Sequence, residues 1–209
     1  MVTISRPIEY ILSSFKFVKF MLNFDVLIIG SGLAGLSTAL KLAKQKKIAI
    51  ISKRKLADSS SHWAQGGIAA AISDDDSPKS HIQDTEIAGA GLCDPEVTKL
   101  VVKNGKKALN WLTKTGVNFT KDSNNKKLHL TQEGGHSHKR IAHVADTTGR
   151  AIQDQLIESV LAHPNIQIFE DHIAVDLITS KKINLPINQN ICLGAYILEN
   201  KTNKVLDRK

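Results

Sequence analysis

One stretch of the chain concentrates side chains that could do chemistry: residues 133–140, with the sequence EGGHSHKR. It places a carboxylate, two imidazoles, a hydroxyl and two cations around a pair of glycines, and it contains no apolar side chain. Imidazoles exchange protons near neutral pH. Glycines let the backbone approach a ligand closely. The composition therefore fits a ligand-binding or catalytic loop, and also an ordinary solvent-exposed loop.

A glycine-rich turn near the N-terminus has the spacing of a dinucleotide-binding fingerprint. It consists of Gly30, Ser31, Gly32, Leu33, Ala34 and Gly35. The apolar run before it predicts a buried parallel strand. A helical apolar pattern follows, and then a second strand over residues 47–52. In such a unit Gly30 makes the tight turn, Gly32 leaves room for a pyrophosphate, and Gly35 lets the helix pack on the sheet. The helix N-terminus would attract the phosphates.

The acid that usually ends the second strand of this unit, and binds a ribose hydroxyl, is absent. The strand ends instead in Ser52-Lys53-Arg54. Either Ser52 or Lys53 could contact the ribose or a phosphate in its place, and the alternative for Lys53 is a surface lysine.

A long connection over residues 53–80 contains the segment SSSHWAQGGIAA, residues 59–70. Long loops inside compact domains are usually functional. Its hydroxyls, Gln65 and paired glycines suit a backbone cradle for a flat polar ring.

The length and composition are those of a globular protein: 209 residues, 42% hydrophobic and 23% charged. The net charge of +8 could indicate nucleic acid or a membrane surface as a partner. However, the lysines are scattered, and aromatic residues make up only 5%, which gives no stacking platform for single-stranded nucleic acid. We therefore expect a basic surface or a cleft for small anions, with neither nucleic acid nor membrane as a partner.

The two cysteines, Cys93 and Cys192, are far apart and match no zinc-binding spacing, so we predict no metal site. We expect two free thiols, buried like small hydrophobic residues, in a reducing compartment, the cytoplasm. The apolar run within residues 1–20 is too short and too charged to span a membrane. Because Met21 directly precedes the first convincing strand, we predict an extension over residues 1–20 and a domain over residues 21–209.

The rest of the pattern predicts an α/β fold, a Rossmann-like parallel sheet with helices plus a small antiparallel β-meander. Asp94 and Pro95 predict the start of a long helix that ends near Gly116. Its expected apolar stripe consists of Val97, Leu100, Val101, Ala108, Leu109 and Leu112. Further helices are predicted over residues 80–89 and 148–163, and strands over residues 128–131, 166–170, 172–180, 191–199 and 204–207.

Three motifs, taken in order, resemble one flavoprotein family. They are GSGLAGL (residues 30–36), SSSHWAQGGIAA (residues 59–70) and HLTQEGGHSHKRIAHVADTTGR (residues 129–150). Together they are similar to the L-aspartate oxidases, whose relatives are the flavoproteins of succinate dehydrogenase and fumarate reductase. The resemblance runs from about Met21 to the C-terminus. It implies a Rossmann-like FAD-binding domain, C-terminally truncated, without the later FAD segment, the capping domain and the C-terminal helices of such proteins.

The resemblance implies how FAD is held. Residues Ser31 to Ala34, within the Gly30–Gly35 turn, meet the pyrophosphate through the backbone, Lys53 lies near the adenosine half, and Ile173 and Ala174 meet the adenine. The residues implied around the flavin and ribityl chain are Ser60, Ser61, His62, Trp63, Ala64, Gln65, Gly66 and Gly67. Relatives with covalent FAD carry a histidine four residues before the alanine of AQGG. This chain has Ser60 there and His62 two residues later, so the implied FAD is non-covalent.

The same resemblance implies an oxidoreductase that converts L-aspartate to iminoaspartate, with oxygen or fumarate as acceptor, in the biosynthesis of NAD. Quinolinate synthase is the partner it suggests. Glu133 would pair with the α-ammonium of aspartate, which succinate lacks, while His136 and Ser137 would lie near the flavin or a substrate carboxylate. His138, Lys139 and Arg140 are expected farther from the ligand or at the surface. The alternatives are a catalytically incomplete FAD-binding fragment and a succinate or fumarate oxidoreductase.

Overall fold

A computed structural model describes residues 22–123, 127–200 and 204–208, so the extension predicted over residues 1–20 lies outside the described residues. In chain order the elements are β1 (Val26–Ile29), α1 (Leu33–Leu42), β2 (Ile48–Ile51), β3 (Ile68–Ala69), α2 (Pro78–Ala88), α3 (Pro95–Thr115), β4 (Leu130–Thr131), β5 (Ile141–Ala142), α4 (Thr148–Leu161), β6 (Ile166–Phe169), β7 (His172–Thr179), β8 (Cys192–Glu199) and β9 (Lys204–Arg208). The chain divides into two compact units. One unit holds the described residues up to Ser59 together with those from Ile157 onward, and the other holds Ser60–Leu156.

The first unit contains a parallel sheet in the order β1-β2-β6, and α1 connects its first two strands. All four residues of β2 are buried, as expected for the central strand. A second sheet of this unit, β7-β8-β9, is an antiparallel meander. The α/β fold with a parallel sheet, helices and a small meander is therefore confirmed.

The expectation of a buried first strand is wrong, because Val26, Leu27 and Ile28 are only half-buried and Ile29 is 55% exposed. Within the described residues β1 lies at the edge of the parallel sheet, where only one side is paired. A hydrophobic core forms where β2 and β6 meet the meander, and Phe24 packs edge-on against Phe169 in it. Its buried members are Ala49, Ile51, Phe169, Ala195 and Ile197.

The second unit contains a short antiparallel sheet in the order β3-β5-β4, with β5 in the centre. This sheet is a second small antiparallel element, which the sequence did not predict. It joins the two polar loops of interest, because the segment before β3 is the SSSHWAQGG loop and the β4–β5 connection is the EGGHSHKR loop.

Helix α3 begins and ends as the sequence predicts. The Asp94 carboxylate accepts hydrogen bonds from the amides of Glu96 and Val97, and Gly116 ends the helix in the left-handed conformation with φ +114°. The expected apolar stripe is wrong at four of its six positions. Val97, Leu100 and Val101 are 54–64% exposed, and Ala108 is exposed as well. The buried residues of the helix are Thr98, Val102, Leu109 and Leu112. Periodicity alone does not say which of two adjacent apolar faces a neighbour covers.

Candidate functional site

In the first unit, the turn between β1 and α1 requires its glycines. Gly30 has φ +114°, a conformation that favours glycine. A Cβ on Gly35 would lie 2.2 Å from the carbonyl oxygen of Gly30, so only a glycine lets the helix approach the turn. Gly32 is the N-cap of α1 and offers no capping side chain to the first turn of the helix. A helix N-terminus without a capping side chain is the kind of backbone site that anionic ligands bind in proteins.

Two buried serine hydroxyls form hydrogen bonds at the same turn. Ser31 and Ser52 are only 6% and 5% exposed, and their Oγ atoms lie 3.0 Å apart. Ser31 Oγ also donates to the carbonyl oxygen of Leu56 at 3.3 Å. Of the two candidates for the missing acid's role, Ser52 is therefore engaged in the turn, whereas Lys53 is exposed.

Glu170, which the sequence reasoning missed, is an acid close to the end of β2. It directly follows β6, the strand that pairs with β2. Its carboxylate accepts from the amide of Leu56 at 2.8 Å and from Lys55 Nζ at 2.7 Å. Burial raises the pKa of Glu170, but the bonds from Lys55 and Leu56 outweigh it and lower the pKa. No local pattern signals this acid, because it reaches the site through the strand order rather than through the fingerprint.

The predicted adenine-binding residues lie in the meander of the first unit. Ile173 and Ala174 occupy β7, opposite Leu198 and Ile197 of β8. The register of the pair shifts directly after Ala174, and Ala174 packs against the core. Both residues are half-buried.

In the second unit, the two polar loops meet at their glycines. A Cβ on Gly67 would lie 2.4 Å from the carbonyl oxygen of Ala142, so this glycine lets the first loop enter the short sheet. A Cβ on Gly66 would lie 3.8 Å from Glu133 Oε1. The structure thus brings the predicted discriminating carboxylate next to the predicted flavin loop, and both Glu133 and Gly66 are exposed.

The loop of residues 60–67 is held from behind by Gly149, another residue that the sequence reasoning missed. Its amide donates to the carbonyl oxygen of Ala64 at 3.0 Å, and a Cβ there would lie 2.2 Å from the carbonyl oxygen of Ser61. His62 Nδ1 lies 3.7 Å from Asp154 Oδ1. Trp63 is 73% exposed, and the remaining loop residues, Ser60, Ala64, Gln65, Gly66 and Gly67, are exposed while Ser61 is half-buried.

Of the two positions expected for Arg140, farther from the ligand or at the surface, the surface position is wrong, because the side chain is completely buried. Its guanidinium binds Asp76 through two bonds of 2.9 Å and Asp84 through one of 2.8 Å. The Asp76 side chain is also fully buried, and that of Asp84 is 14% exposed. A buried cation held by two carboxylates fixes where the 133–140 loop ends. The surface prediction holds for Lys139, which is exposed.

The same network fastens the middle of the loop to α2. Ser137 donates to Asp84 Oδ2 twice, through its amide at 2.8 Å and its hydroxyl at 2.7 Å. These bonds, with that of Arg140, lower the pKa of Asp84 to about 2, against a smaller opposing effect of burial. The sequence held a partial signal for this anchor, because Ser80 and Asp84 have the four-residue spacing of one helical face, whereas Asp76 lies just before the helix.

His136 lies between the loop and a second histidine. Its amide donates to the carbonyl oxygen of Glu133 at 3.2 Å, which closes the glycine turn. Its ring centroid lies 5.7 Å from that of His81, a residue of α2 that is 7% exposed. Burial, followed by the nearby charge of Arg140 and by His136, lowers the pKa of His81. His81 is therefore neutral at physiological pH.

The expectation that both cysteines are buried is wrong. Cys192 is exposed and Cys93 is half-buried, although both are free thiols as predicted. Among the described residues, no helix is long and apolar enough to cross a membrane, and no group of three or more histidines, cysteines and acids could hold a metal ion.

A family of FAD binding domains matches residues 25–207 of this chain. The chain therefore belongs to that family, and FAD is its cofactor. The glycine turn of the first unit fits this cofactor, since an uncapped helix N-terminus beside close-packed glycines suits a pyrophosphate.

Within the family, the chain is similar to proteins named L-aspartate oxidase, which confirms the resemblance seen in the sequence. It is 50% identical to L-aspartate oxidase 1 of Ralstonia nicotianae over 185 residues, covering 88% of this chain and 34% of that protein. It is 44% identical to the chloroplastic L-aspartate oxidase of Arabidopsis thaliana, covering 88% of this chain and 27% of the other. The chain spans about a third of the length of the curated relatives it matches.

Solved structures share the fold. A quinol fumarate reductase of E. coli superposes with a TM-score of 0.82 at 26% identity, covering 91% of this chain and 31% of that chain. A flavocytochrome c3 fumarate reductase superposes with a TM-score of 0.75 at 18% identity, covering 98% of this chain and 35% of the other. The latter likeness concerns the fold alone.

Proposed function

We propose that this chain belongs to a flavoenzyme that oxidises L-aspartate to iminoaspartate, with oxygen or fumarate as the electron acceptor. The similarity to L-aspartate oxidases supports the reaction class. The observation that carries the choice of substrate is the exposed Glu133 carboxylate beside Gly66. A carboxylate there attracts the ammonium group of an amino acid and offers nothing to succinate.

FAD, when bound, supplies an acceptor for the hydride that leaves the substrate carbon. In the first unit, we assign the pyrophosphate to the backbone of the Gly30–Gly35 turn, the adenosine half to Lys53, and the adenine to Ile173 and Ala174. In the second unit, we assign the flavin and ribityl chain to the loop of residues 60–67. We further propose that the attachment is non-covalent, because Ser60 stands where covalent relatives carry histidine.

The three proposed active-site residues have different tasks. Glu133 binds the substrate ammonium, and an imidazole such as His136 can bind a substrate carboxylate or hold a proton. Ser137 has both of its donors engaged by Asp84, so we assign it to fixing the loop beside the ligand. Arg140 holds that arrangement from within the protein.

The proposal is tested in two steps, first by flavin content and then by the selectivity for the substrate. The purified chain is loaded with FAD, and release of the flavin on acid precipitation checks for non-covalent binding. Aspartate-dependent peroxide formation then tests turnover. Bound flavin without peroxide would favour the incomplete FAD-binding fragment, and a response to succinate instead of aspartate would favour a succinate or fumarate oxidoreductase.

A pair of variants isolates the role of the discriminating carboxylate. Glu133→Gln should weaken the binding of aspartate, followed by its effect on the flavin spectrum, about ten- to hundred-fold. This factor corresponds to the loss of one charge-assisted hydrogen bond. Glu96→Gln removes an 84% exposed carboxylate of the same unit and should leave the binding of aspartate unchanged. Equal responses of the two variants would exclude Glu133 as the ammonium-binding residue.

The cellular setting follows from the proposed reaction. Its product would feed the biosynthesis of NAD through quinolinate synthase, and we place the protein in the cytoplasm. The printed name of the Arabidopsis relative includes a chloroplast location. Fractionation of the source cells would test the compartment.

A further inference from the structure

The hydroxyl of Ser137 lies among three polar groups. Its Oγ is 2.7 Å from Asp84 Oδ2, 2.8 Å from His138 Nδ1 and 3.1 Å from Ser80 Oγ. A hydroxyl carries a single proton, so it can donate to only one of these partners. Which partner receives that proton decides where the His138 ring carries its own.

Asp84 must be the acceptor from Ser137. The same Oδ2 atom also receives the Ser137 amide at 2.8 Å and Arg140 Nη1 at 2.8 Å. An oxygen that faces two N–H donors is an acceptor and has no room for a proton of its own. The pKa of Asp84, lowered to about 2 mainly by Ser137, agrees with an ionised carboxylate. The short contact of 2.7 Å therefore contains the proton of Ser137.

The proton between Ser137 and His138 then belongs to His138. Ser80 Oγ, at 3.2 Å from the same Nδ1 atom, can accept this proton as well, because its own proton can go to Ser137 Oγ at 3.1 Å. Asp76 Oδ1, at 3.7 Å, favours a proton there as well. Arg140 Nη2 lies 3.4 Å from Nδ1, but a guanidinium can only donate, and its bond to Ser80 Oγ is shorter, at 3.2 Å.

We propose that Asp84, acting through Ser137, holds His138 in the tautomer protonated at Nδ1, so that the Nε2 lone pair is a proton-accepting group of the 133–140 loop. The ring is 32% exposed, and the hydrogen bonds recorded for it among the described residues all involve Nδ1 rather than Nε2. Orientation of a histidine through its Nδ1–H is a common way to free the other nitrogen for chemistry. Asp84 and Ser137 are positioning residues in this arrangement.

The role of this lone pair rests on the proposed function. The loop would then offer an amino acid two complementary groups, the Glu133 carboxylate for its ammonium and His138 Nε2 for the proton that the ammonium nitrogen releases. The charged groups around the His138 ring are Asp76, Asp84, Arg140 and, beside them, Asp75 and Lys139. The tautomer itself follows from the hydrogen-bond geometry alone and needs no flavin.

Nitrogen-15 NMR of labelled histidine side chains tests the tautomer directly in the full chain, which contains 8 histidines. His138→Gln identifies the signals by their loss. At about pH 8, where an ordinary imidazole is neutral, we expect protonated Nδ1 and unprotonated Nε2. A neutral ring protonated at Nε2 would overturn the proposal.

Substitutions of Ser137 test the positioning role. Ser137→Ala keeps the amide bond to Asp84 but removes the hydroxyl, so the His138 signals should shift toward the other tautomer. Ser137→Thr restores a hydroxyl and should restore the wild-type signals, and Lys139→Gln, a change at the adjacent exposed residue, should not alter them. Unchanged His138 signals in Ser137→Ala would refute the role of Ser137 in setting the tautomer. The NMR spectra are recorded with and without FAD. Failure of the chain to bind FAD would contradict the proposed function, whereas the tautomer of His138 can be determined in either case.

Discussion

Replacement of Arg140 by methionine should destabilise the Ser60–Leu156 unit severely. The side chain is completely buried and is the cation that both Asp76 and Asp84 bind. Methionine has a similar length and can fill much of the space, but it carries no charge. The variant therefore leaves two carboxylates, one fully buried and one 14% exposed, without their cation.

The expected magnitude follows from the burial. Removing one partner of a buried ion pair typically costs about 3–5 kcal/mol. Lys139→Met, a change at the neighbouring exposed cation, should alter the free energy of unfolding by less than about 0.5 kcal/mol. The difference between Arg140→Met and wild type should shrink as the pH falls from neutral toward about 4. Without Arg140 the Asp84 carboxylate takes up a proton at a higher pH than in the wild type, which relieves its repulsion by Asp76.

Urea unfolding followed by tryptophan fluorescence measures this effect in the relevant unit. Both tryptophans of the chain, Trp63 and Trp111, lie within Ser60–Leu156. A free energy of unfolding for Arg140→Met within about 1 kcal/mol of wild type would refute the reasoning. Equal losses of unfolding free energy in Arg140→Met and Lys139→Met would also refute it, because the buried network would then contribute no more to stability than a surface charge.

Four further predictions use the same chain. Gly67→Ala should lower the free energy of unfolding by about 1–3 kcal/mol, because the new Cβ would collide with the backbone. Gly134→Ala, where a Cβ would enter open space, should change it by less than about 0.5 kcal/mol, and equal losses in the two variants would contradict this. Asp94→Ala should cost about 1 kcal/mol through the lost helix cap, and an unchanged urea midpoint would contradict it. Gly35→Ala should weaken FAD binding about tenfold or more in a fluorescence titration, and wild-type affinity would contradict it. Bonds from Ser137 and Arg140 lower the pKa of Asp84 from its usual 3.8 to about 2, so this carboxylate stabilises the fold above about pH 4, and the stabilisation is lost as the pH falls through about 2. Asp84→Asn should therefore flatten the acid limb of a profile of unfolding free energy against pH, and an unchanged limb would contradict this.

The local patterns of the sequence predicted the elements well, because their causes are local. The strand–turn–helix–strand unit at the N-terminus, the start of α3 at Pro95 and its end at Gly116 all depend on residues within a few positions of each other. The meander of β7, β8 and β9 is also local, since its strands are consecutive. The resemblance to one flavoprotein family came from motifs that are likewise contiguous.

Burial was harder to predict, because a sequence does not say which apolar face meets a neighbour. Val97, Leu100 and Val101 follow a helical period but are exposed, and Ile29 is exposed because β1 lies at the edge of the described sheet. In contrast, Arg140 looks like a surface cation in sequence and is fully buried. Asp76 and Asp84, more than 50 positions earlier in the chain, supply the charges that make this burial possible.

The sequence alone determined which residues could do chemistry: the glycine turn, the SSSHWAQGG loop and the run from Glu133 to Arg140. The tertiary structure alone decided how these groups are held. It placed Glu133 against Gly66, put Glu170 beside the end of β2, and fastened Ser137 to Asp84. The physical reason is that a hydrogen bond needs its donor and acceptor within about 3 Å, and for residues far apart in the chain only the folded backbone sets that distance.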